Sequence, residues 1–242
     1  MSLEILRPYT DFIMNKIWRK IPYKTQIFFI IGLGFITFNY YMVYIALKPF
    51  QGFIISGKPI FYMVPIAFST YLCFGIALLC GILFLLWKKD LRLDLILVSS
   101  AQVGVVLGAI TIIVGMIWAK VEWGTFWDWN DRETITLVMW LIYVGLLIFR
   151  DMIEVENHER KATISAVFGI VAFVSVPLSY VIVGVLHPNP QQTSYSTGAG
   201  VFLMLNFLFI GILALILIYQ AYKINKMDFA LKKFRKQRME ED

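Results

Sequence analysis

Aromatic and cationic residues are concentrated in one segment between Trp118 and Thr134, which we call the tryptophan loop. Four of the seven tryptophans fall there: Trp118, Trp123, Trp127 and Trp129. Indole rings stack on flat apolar ligands, and an aromatic pair contributes about 0.5–1.5 kcal/mol beyond the area it buries. Lys120 and Arg132 lie in the same segment, and arginine binds carboxylates through two parallel hydrogen bonds. The segment therefore favours a large planar ligand with an apolar face and anionic edge groups.

Haem has this shape, with propionates at its edge, whereas a quinone or another polycyclic lipid shares only the flat part. Tryptophans also form belts at the headgroup level of membranes, but a belt explains a cluster interleaved with Asp128 and Asp131 poorly. Haem iron needs an axial ligand, and the candidate is His187, which ends an apolar run in Val-Leu-His-Pro. A polar helix cap is the alternative role for His187. The other histidine, His158, lies among glutamates and is interpreted as solvated surface.

The two cysteines, Cys73 and Cys80, are interpreted as packing residues. Seven positions along a helix separate them by about 10 Å, which is too far for a disulfide. The sequence contains no Cys-x-x-Cys-His motif, so it has no covalent c-type haem site of its own. Any haem is therefore expected to be haem b, held non-covalently and transiently.

The composition indicates a polytopic membrane protein. Of the 242 residues, 59% are hydrophobic and only 16% are charged, against about 25% charged in soluble domains. This excludes a cytosolic α/β enzyme, a disordered chain and a disulfide-stapled secreted module. Runs long enough to cross about 30 Å of hydrocarbon predict an all-α fold with six transmembrane helices in one integral membrane domain, 1–242. The six predicted spans are 26–47, 60–87, 95–118, 134–149, 162–186 and 199–222.

The distribution of positive charge predicts the orientation. The two termini and the loops on their side hold 18 of the 22 Lys and Arg residues, and such residues are retained in the cytoplasm. Both termini are therefore expected to be cytoplasmic, with the tryptophan loop outside, between spans three and four. The basic ends are interpreted as contacting the lipid bilayer rather than nucleic acid. No predicted span contains Asp, Glu, Lys, Arg or His, which disfavours a charge-driven transporter.

The segment Trp-Gly-Thr-Phe-Trp-Asp-Trp-Asn-Asp-Arg-Glu-Thr resembles the tryptophan-rich WWD signature of haem-handling membrane proteins. It is most similar to the cytochrome c maturation protein CcmC family, also called the haem exporter protein C family. The resemblance extends to six spans with both ends inside and to Leu-His-Pro after span five. The residues that match the signature are Trp118, Trp123, Gly124, Trp127, Trp129, Arg132 and Thr134. His187 matches the second of the family's two outward histidines.

Two positions depart from the family pattern. Asn130 stands where the family has aspartate, and Met63 stands where its first histidine precedes Val-Pro. A thioether can ligate haem iron opposite histidine and raises its potential, although methionine also packs well in apolar helices. His187 and Met63 are therefore the predicted iron ligands. The alternatives are haem held by one histidine, a ligand from a partner protein, or a chain that has lost haem binding.

The resemblance implies a role in c-type cytochrome biogenesis at the bacterial inner (plasma) membrane. Haem would be bound on the periplasmic or exterior face and passed to a membrane-anchored haem chaperone of the CcmE type. ATP-binding-cassette (ABC) transporter subunits and a small CcmD-like subunit are the other expected partners. The chain would be a binding and handover protein rather than an enzyme. The alternatives are a permease subunit of an ATP-driven exporter for haem or another small hydrophobic substrate, and a scaffold that docks partners.

Overall fold

A computed structural model describes residues 60–86, 90–127, 129, 132–153, 158–178 and 197–241, together with four helical residues at 34, 37, 38 and 41. The chain divides into two units, residues 1–58 and 59–242. The predicted span 26–47 falls in the first unit and, apart from those four positions, lies outside the described residues. All the architecture below belongs to the second unit.

The second unit consists of helices, and its described residues include no strand, as predicted for an all-α fold. The helices are α1 (Ile60–Leu86), α2 (Leu91–Trp123), α3 (Arg132–Met152), α4 (His158–Phe173) and α5 (Thr197–Glu241). Five segments in these helices are long and apolar enough to cross a membrane. The described part is therefore that of a multi-pass membrane protein, while the sixth span and the position of the termini stay predictions.

Three helices are longer than the apolar runs that predicted them. Helix α3 has 21 residues, about 31 Å at the helical rise, so the predicted span 134–149 gains residues at both ends. Helix α5 has 45 residues, about 68 Å, and continues far beyond the predicted end at 222. Helix α2 runs on to Trp123, so the first part of the tryptophan loop is helical.

Local chemistry sets the two ends of α2. The side chain of Asp90 caps its start, because a carboxylate oxygen accepts the backbone N–H of Arg92 at 2.9 Å and satisfies a donor that the first turn leaves free. Gly124 ends the helix with φ 79°, a left-handed conformation that glycine adopts without a Cβ penalty. The chain therefore turns out of α2 at the predicted signature glycine.

Proline sets the end of α4. The regular helix ends at Phe173, and a turn at Val174 precedes a further helical stretch over 175–178. Pro177 has no N–H to donate to the carbonyl of Phe173, and its ring clashes with that carbonyl. The Ser175 hydroxyl instead donates to the Ala172 carbonyl at 2.6 Å. The remainder of the predicted span 162–186 lies outside the described residues.

The centre of the second unit is packed closely through two glycines of α2. A Cβ built at Gly104 would lie 2.5 Å from the Phe74 ring of α1, and one at Gly108 would lie 2.8 Å from the Trp140 ring of α3. The Phe74 ring in turn stacks on buried Tyr143, with ring centroids 3.5 Å apart. Small residues let helices approach where lipid supplies no hydrophobic drive, so these glycines bring α2 against both neighbours.

A buried ion pair ties α2 to α3 at the end opposite the tryptophan loop. The Arg150 guanidinium donates to both carboxylate oxygens of Asp94, at 2.7 and 2.6 Å. The Asp94 side chain is only 3% exposed, so its charge depends on Arg150 for compensation. The predicted spans ended one residue short of both groups, and the pairing of the two helices at this point was not predicted.

Candidate functional site

The first residues beyond α2 are held by their own side chains. The Lys120 ammonium donates to the Gly124 carbonyl at 2.7 Å and lies 5.3 Å from the centre of the Phe126 ring, within the range of a cation–π contact. Both contacts fold the chain back over the last turn of α2. Lys120 therefore stabilises the helix end, in addition to its predicted interaction with anionic ligand groups.

Trp127 and Trp129 form an edge-to-face pair after this turn. Their ring centroids are 5.7 Å apart with an interplanar angle of 71°. The Trp129 carbonyl accepts the Thr134 hydroxyl at 3.0 Å, which ties the segment to the first turn of α3. The Trp129 side chain is 74% exposed, while Trp127 is half-buried. The Trp129 indole is therefore exposed to solvent, while the Trp127 indole is the inward ring of the pair.

The inward ring carries a buried donor that has no acceptor among the described residues. The indole Nε1 of Trp127 is inaccessible to solvent and makes no hydrogen bond within that part of the chain. A buried polar group without a partner costs about 1–3 kcal/mol, and buried indole N–H groups usually find one. Trp140 of α3 behaves as expected, since its Nε1 donates to the Val105 carbonyl at 2.8 Å. Trp127 thus differs from Trp140, because its N–H has no acceptor among the described residues.

A small cleft joins α1, α2, the tryptophan loop and α3 beside this donor. Its volume is about 40 Å³. We call it the methionine–tryptophan cleft, and it is lined by Met63, Thr111, Ile112, Gly115, Trp118, Trp127, Glu133 and Thr136. Three predicted site residues, Met63, Trp118 and Trp127, thus meet at one place although 55 positions separate the first two. Met63 is half-buried and lines the cleft together with Trp118 and Trp127.

The size of the cleft limits what enters it. Pockets that enclose a whole organic ligand measure about 300–1,000 Å³, so 40 Å³ admits an edge group or an axial ligand but not a porphyrin. A macrocycle would have to remain outside the cleft, against the tryptophan loop, in which Phe126 and Trp129 are more than half exposed. Such a ligand would remain open to a second protein on its other face.

The other predicted site residues divide by what the structure describes. Gly124 ends α2, as set out above. Trp123 is the last residue of α2 and Arg132 the first of α3, while their side chains lie outside the described part. His187 also lies outside the described residues, so pairing of His187 with Met63 stays a prediction. Within the described part of the chain, no group of three His, Cys, Asp or Glu side chains could hold a metal ion by itself.

Sequence reasoning missed part of the cleft. Thr111 and Gly115 line it together with Trp118, and their spacing of four and three residues places them on one face of α2. Glu133 and Thr136 are likewise three apart on α3. The Thr111 hydroxyl is already bound to the Leu107 carbonyl at 2.9 Å, so the residue shapes the wall. Helical spacing from Trp118 back into the apolar run was the signal that would have identified this face.

The amino-acid sequence is similar to one protein-family model and to several known proteins. The family model described as heme exporter protein C (CcmC) matches residues 23–241. The chain is 28% identical over 122 residues to the heme exporter protein C of Bradyrhizobium diazoefficiens, covering 50% of this chain and 45% of the relative. For that of Paracoccus denitrificans the values are 31% over 122 residues, 50% and 49%.

A shorter match links the chain to a second kind of protein. It is 41% identical over 59 residues to the cytochrome c biogenesis protein CcsA of Prochlorococcus marinus, covering 24% of this chain and 19% of the relative. In the two heme exporter protein C matches, the chain spans about half the length of the curated relative. The family model, in contrast, covers nearly all of the second unit and part of the first. The chain therefore belongs to the heme exporter protein C (CcmC) family.

Proposed function

We propose that this chain binds haem b non-covalently against the tryptophan loop and hands it to a membrane-anchored haem chaperone for cytochrome c biogenesis. The observation that carries the proposal is the methionine–tryptophan cleft, which brings a thioether, two indoles and one unsatisfied N–H together. The relatives' names, heme exporter protein C and cytochrome c biogenesis protein CcsA, support the same ligand and pathway. The role is transfer of a bound molecule, without catalysis of bond formation.

Each residue has a distinct task in this proposal. Exposed Trp129 presents its ring to the macrocycle, and Arg132 binds a propionate. The Trp127 N–H, which lacks an acceptor, donates to a carboxylate oxygen at the edge of the haem. His187 and Met63 are the iron ligands. The small cleft forms the Met63 side of the site and does not enclose the porphyrin ring. An open outer face then leaves the haem accessible to the chaperone.

The predicted topology and the family support the proposed setting. The tryptophan loop faces the exterior or periplasm of the bacterial inner membrane, and both termini are cytoplasmic. The CcmE-type chaperone docks at the loop, and ABC-transporter subunits with a CcmD-like subunit complete the assembly. The long apolar helices also suit a permease subunit of an exporter, which is the alternative function. A permease would move haem across the membrane of a vesicle. A handover protein would keep its haem bound until the chaperone is added.

The test is the absorption spectrum of the purified full chain, oxidised and reduced, after expression with ample haem. We expect a Soret band that is lost in His187→Ala and shifted in Met63→Leu. Met152→Leu is the matched control, because Met152 is 74% exposed and lies at the end of α3 opposite the tryptophan loop. An unchanged spectrum in Met63→Leu would show that the Met63 thioether is not an iron ligand. A wild-type chain without any Soret band would overturn haem binding and favour the permease or scaffold functions.

A further inference from the structure

A second and larger cavity lies at the end of the second unit opposite the tryptophan loop. It has a volume of about 420 Å³ and is formed by the start of α2, the end of α3, the start of α4 and the second half of α5. Pockets of this size accommodate a small organic group. We call it the ion-pair cavity, because its walls include the buried pair of Asp94 and Arg150.

Four charged side chains in the cavity wall form two ion pairs, and within each pair the two charges compensate each other. Asp94 and Arg150 share two hydrogen bonds. On α5, the Lys232 ammonium lies 2.7 Å from an Asp228 carboxylate oxygen, one helical turn away. These four groups therefore leave no net charge, and a ligand meets them as polar walls.

Two further charges in the wall have no such partner. Lys161 lies at the start of α4. Within the described residues, its ammonium donates to the Ile153 carbonyl at 3.1 Å. Asp151 at the end of α3 lines the same cavity, and no ion pair is formed by either residue within the part of the chain that the structure describes. The cavity thus presents one cation and one anion that are not within ion-pair distance of each other, although their charges attract each other.

The rest of the cavity is suited to an amphiphile. Leu95, Val98 and Phe229 supply apolar walls. The Asn225 amide, which also lines the cavity, donates to the Ser99 hydroxyl at 2.8 Å and to the Gln102 side-chain oxygen at 2.9 Å. These three side chains therefore have partners within the protein. Lys161 and Asp151 lie at the start of α4 and at the end of α3, where headgroups of a bilayer would be.

We propose that the ion-pair cavity binds the headgroup of an aminophospholipid, with its phosphate at Lys161 and its primary ammonium at Asp151. Pockets between transmembrane helices recognise lipid headgroups through such charges. A zwitterion matches a cavity with equal numbers of basic and acidic side chains, whereas a purely anionic headgroup would face the Asp151 carboxylate without a cation to offer it. A primary ammonium donates hydrogen bonds, which a quaternary choline group cannot do. The apolar wall then contacts an acyl chain.

The experiment is native mass spectrometry of the full chain with equimolar phosphatidylethanolamine, phosphatidylglycerol and phosphatidylcholine of the same acyl chains. We expect phosphatidylethanolamine to be retained preferentially. Lys161→Gln and Asp151→Asn should each lower its retention about tenfold, the effect of losing one hydrogen bond between charged groups. Lys223→Gln is the control, since Lys223 lies over the Tyr219 ring, outside the cavity, and should retain the lipid as the wild type does.

Three results would overturn the assignment. Preference for phosphatidylglycerol would make the cavity an anion site, and equal retention of all three lipids would mean binding at the general lipid surface. Displacement of the lipid by soluble phosphoethanolamine at equal concentration would assign the cavity to a soluble zwitterion. Lys161→Arg keeps the charge and should keep the lipid, so that loss in Lys161→Gln is separated from a folding defect. The proposal does not depend on haem binding at the tryptophan loop.

Discussion

Two tryptophans of the second unit provide a matched test of the proposed haem site. Trp127 has a buried indole N–H without an acceptor, while the N–H of Trp140 is bound to the Val105 carbonyl at 2.8 Å. Replacing each by phenylalanine removes the N–H and keeps an aromatic ring. Because only the Trp140 N–H has an acceptor among the described residues, Trp140→Phe should mainly lower stability, whereas Trp127→Phe should mainly weaken haem retention.

The magnitudes follow from the hydrogen bonds. Trp127→Phe removes a donor whose burial costs about 1–3 kcal/mol, which offsets the packing lost with the smaller ring, so the stability of the haem-free protein should change by less than about 1 kcal/mol. Trp140→Phe loses a bond of about 0.5–1.5 kcal/mol together with packing against Gly108. Its expected loss is about 1–3 kcal/mol.

Haem retention should show the reverse order. A hydrogen bond from the Trp127 N–H to a carboxylate contributes about 1.5–3 kcal/mol, so Trp127→Phe should weaken haem binding roughly ten- to a hundredfold. Trp140 does not line the cleft, and its variant should bind haem as the wild type does once folded. Thermal unfolding in detergent and haem titration followed at the Soret band measure the two quantities. If Trp127→Phe binds haem with unchanged affinity, the unsatisfied N–H is not a ligand contact.

Two other substitutions test the packing that supports the site. Gly104→Ala should destabilise the protein by about 1–3 kcal/mol through overpacking, since its Cβ would lie 2.5 Å from the Phe74 ring. Gly211→Ala is the control, because a Cβ at Gly211 would have nothing within 4 Å. In thermal unfolding, the control should be neutral or slightly stabilising. Arg150→Met should cost about 3–5 kcal/mol by leaving the Asp94 carboxylate buried and uncompensated, and adding Asp94→Leu should recover most of the loss. Equal melting temperatures for the two glycine variants, or no recovery in the double variant, would contradict these assignments.

Hydropathy predicted the helices well where charge bounds an apolar run. The predicted span 60–87 and helix α1, Ile60–Leu86, differ by one residue, because Trp87 is followed by two lysines. The same method ended the last span at 222, although α5 continues to Glu241. A hydropathy window detects what lipid requires, whereas a helix continues through polar sequence when pairs such as Lys232 and Asp228 support it.

The composition of the candidate site was predictable, but its assembly was not. The density of tryptophan and the departure at Met63 are visible in the sequence. That Met63 meets Trp118 and Trp127 in one cleft depends on how α1 crosses α2, and periodicity along a single helix carries no information about crossing. The same reason hid the ion-pair cavity, whose unpaired charges Lys161 and Asp151 come from different helices.

Helices α2 and α3 form a hairpin that is fixed at three levels, and the tryptophan loop is its tip. At the base, Arg150 binds Asp94 through two hydrogen bonds. Midway, the Trp140 N–H donates to the Val105 carbonyl, and at the tip Thr134 binds the Trp129 carbonyl. A binding site is precise when its residues are held by rigid elements. The tryptophan loop joins these two helices and is tied to α3 through Thr134, so the position of the exposed indole of Trp129 depends on this hairpin.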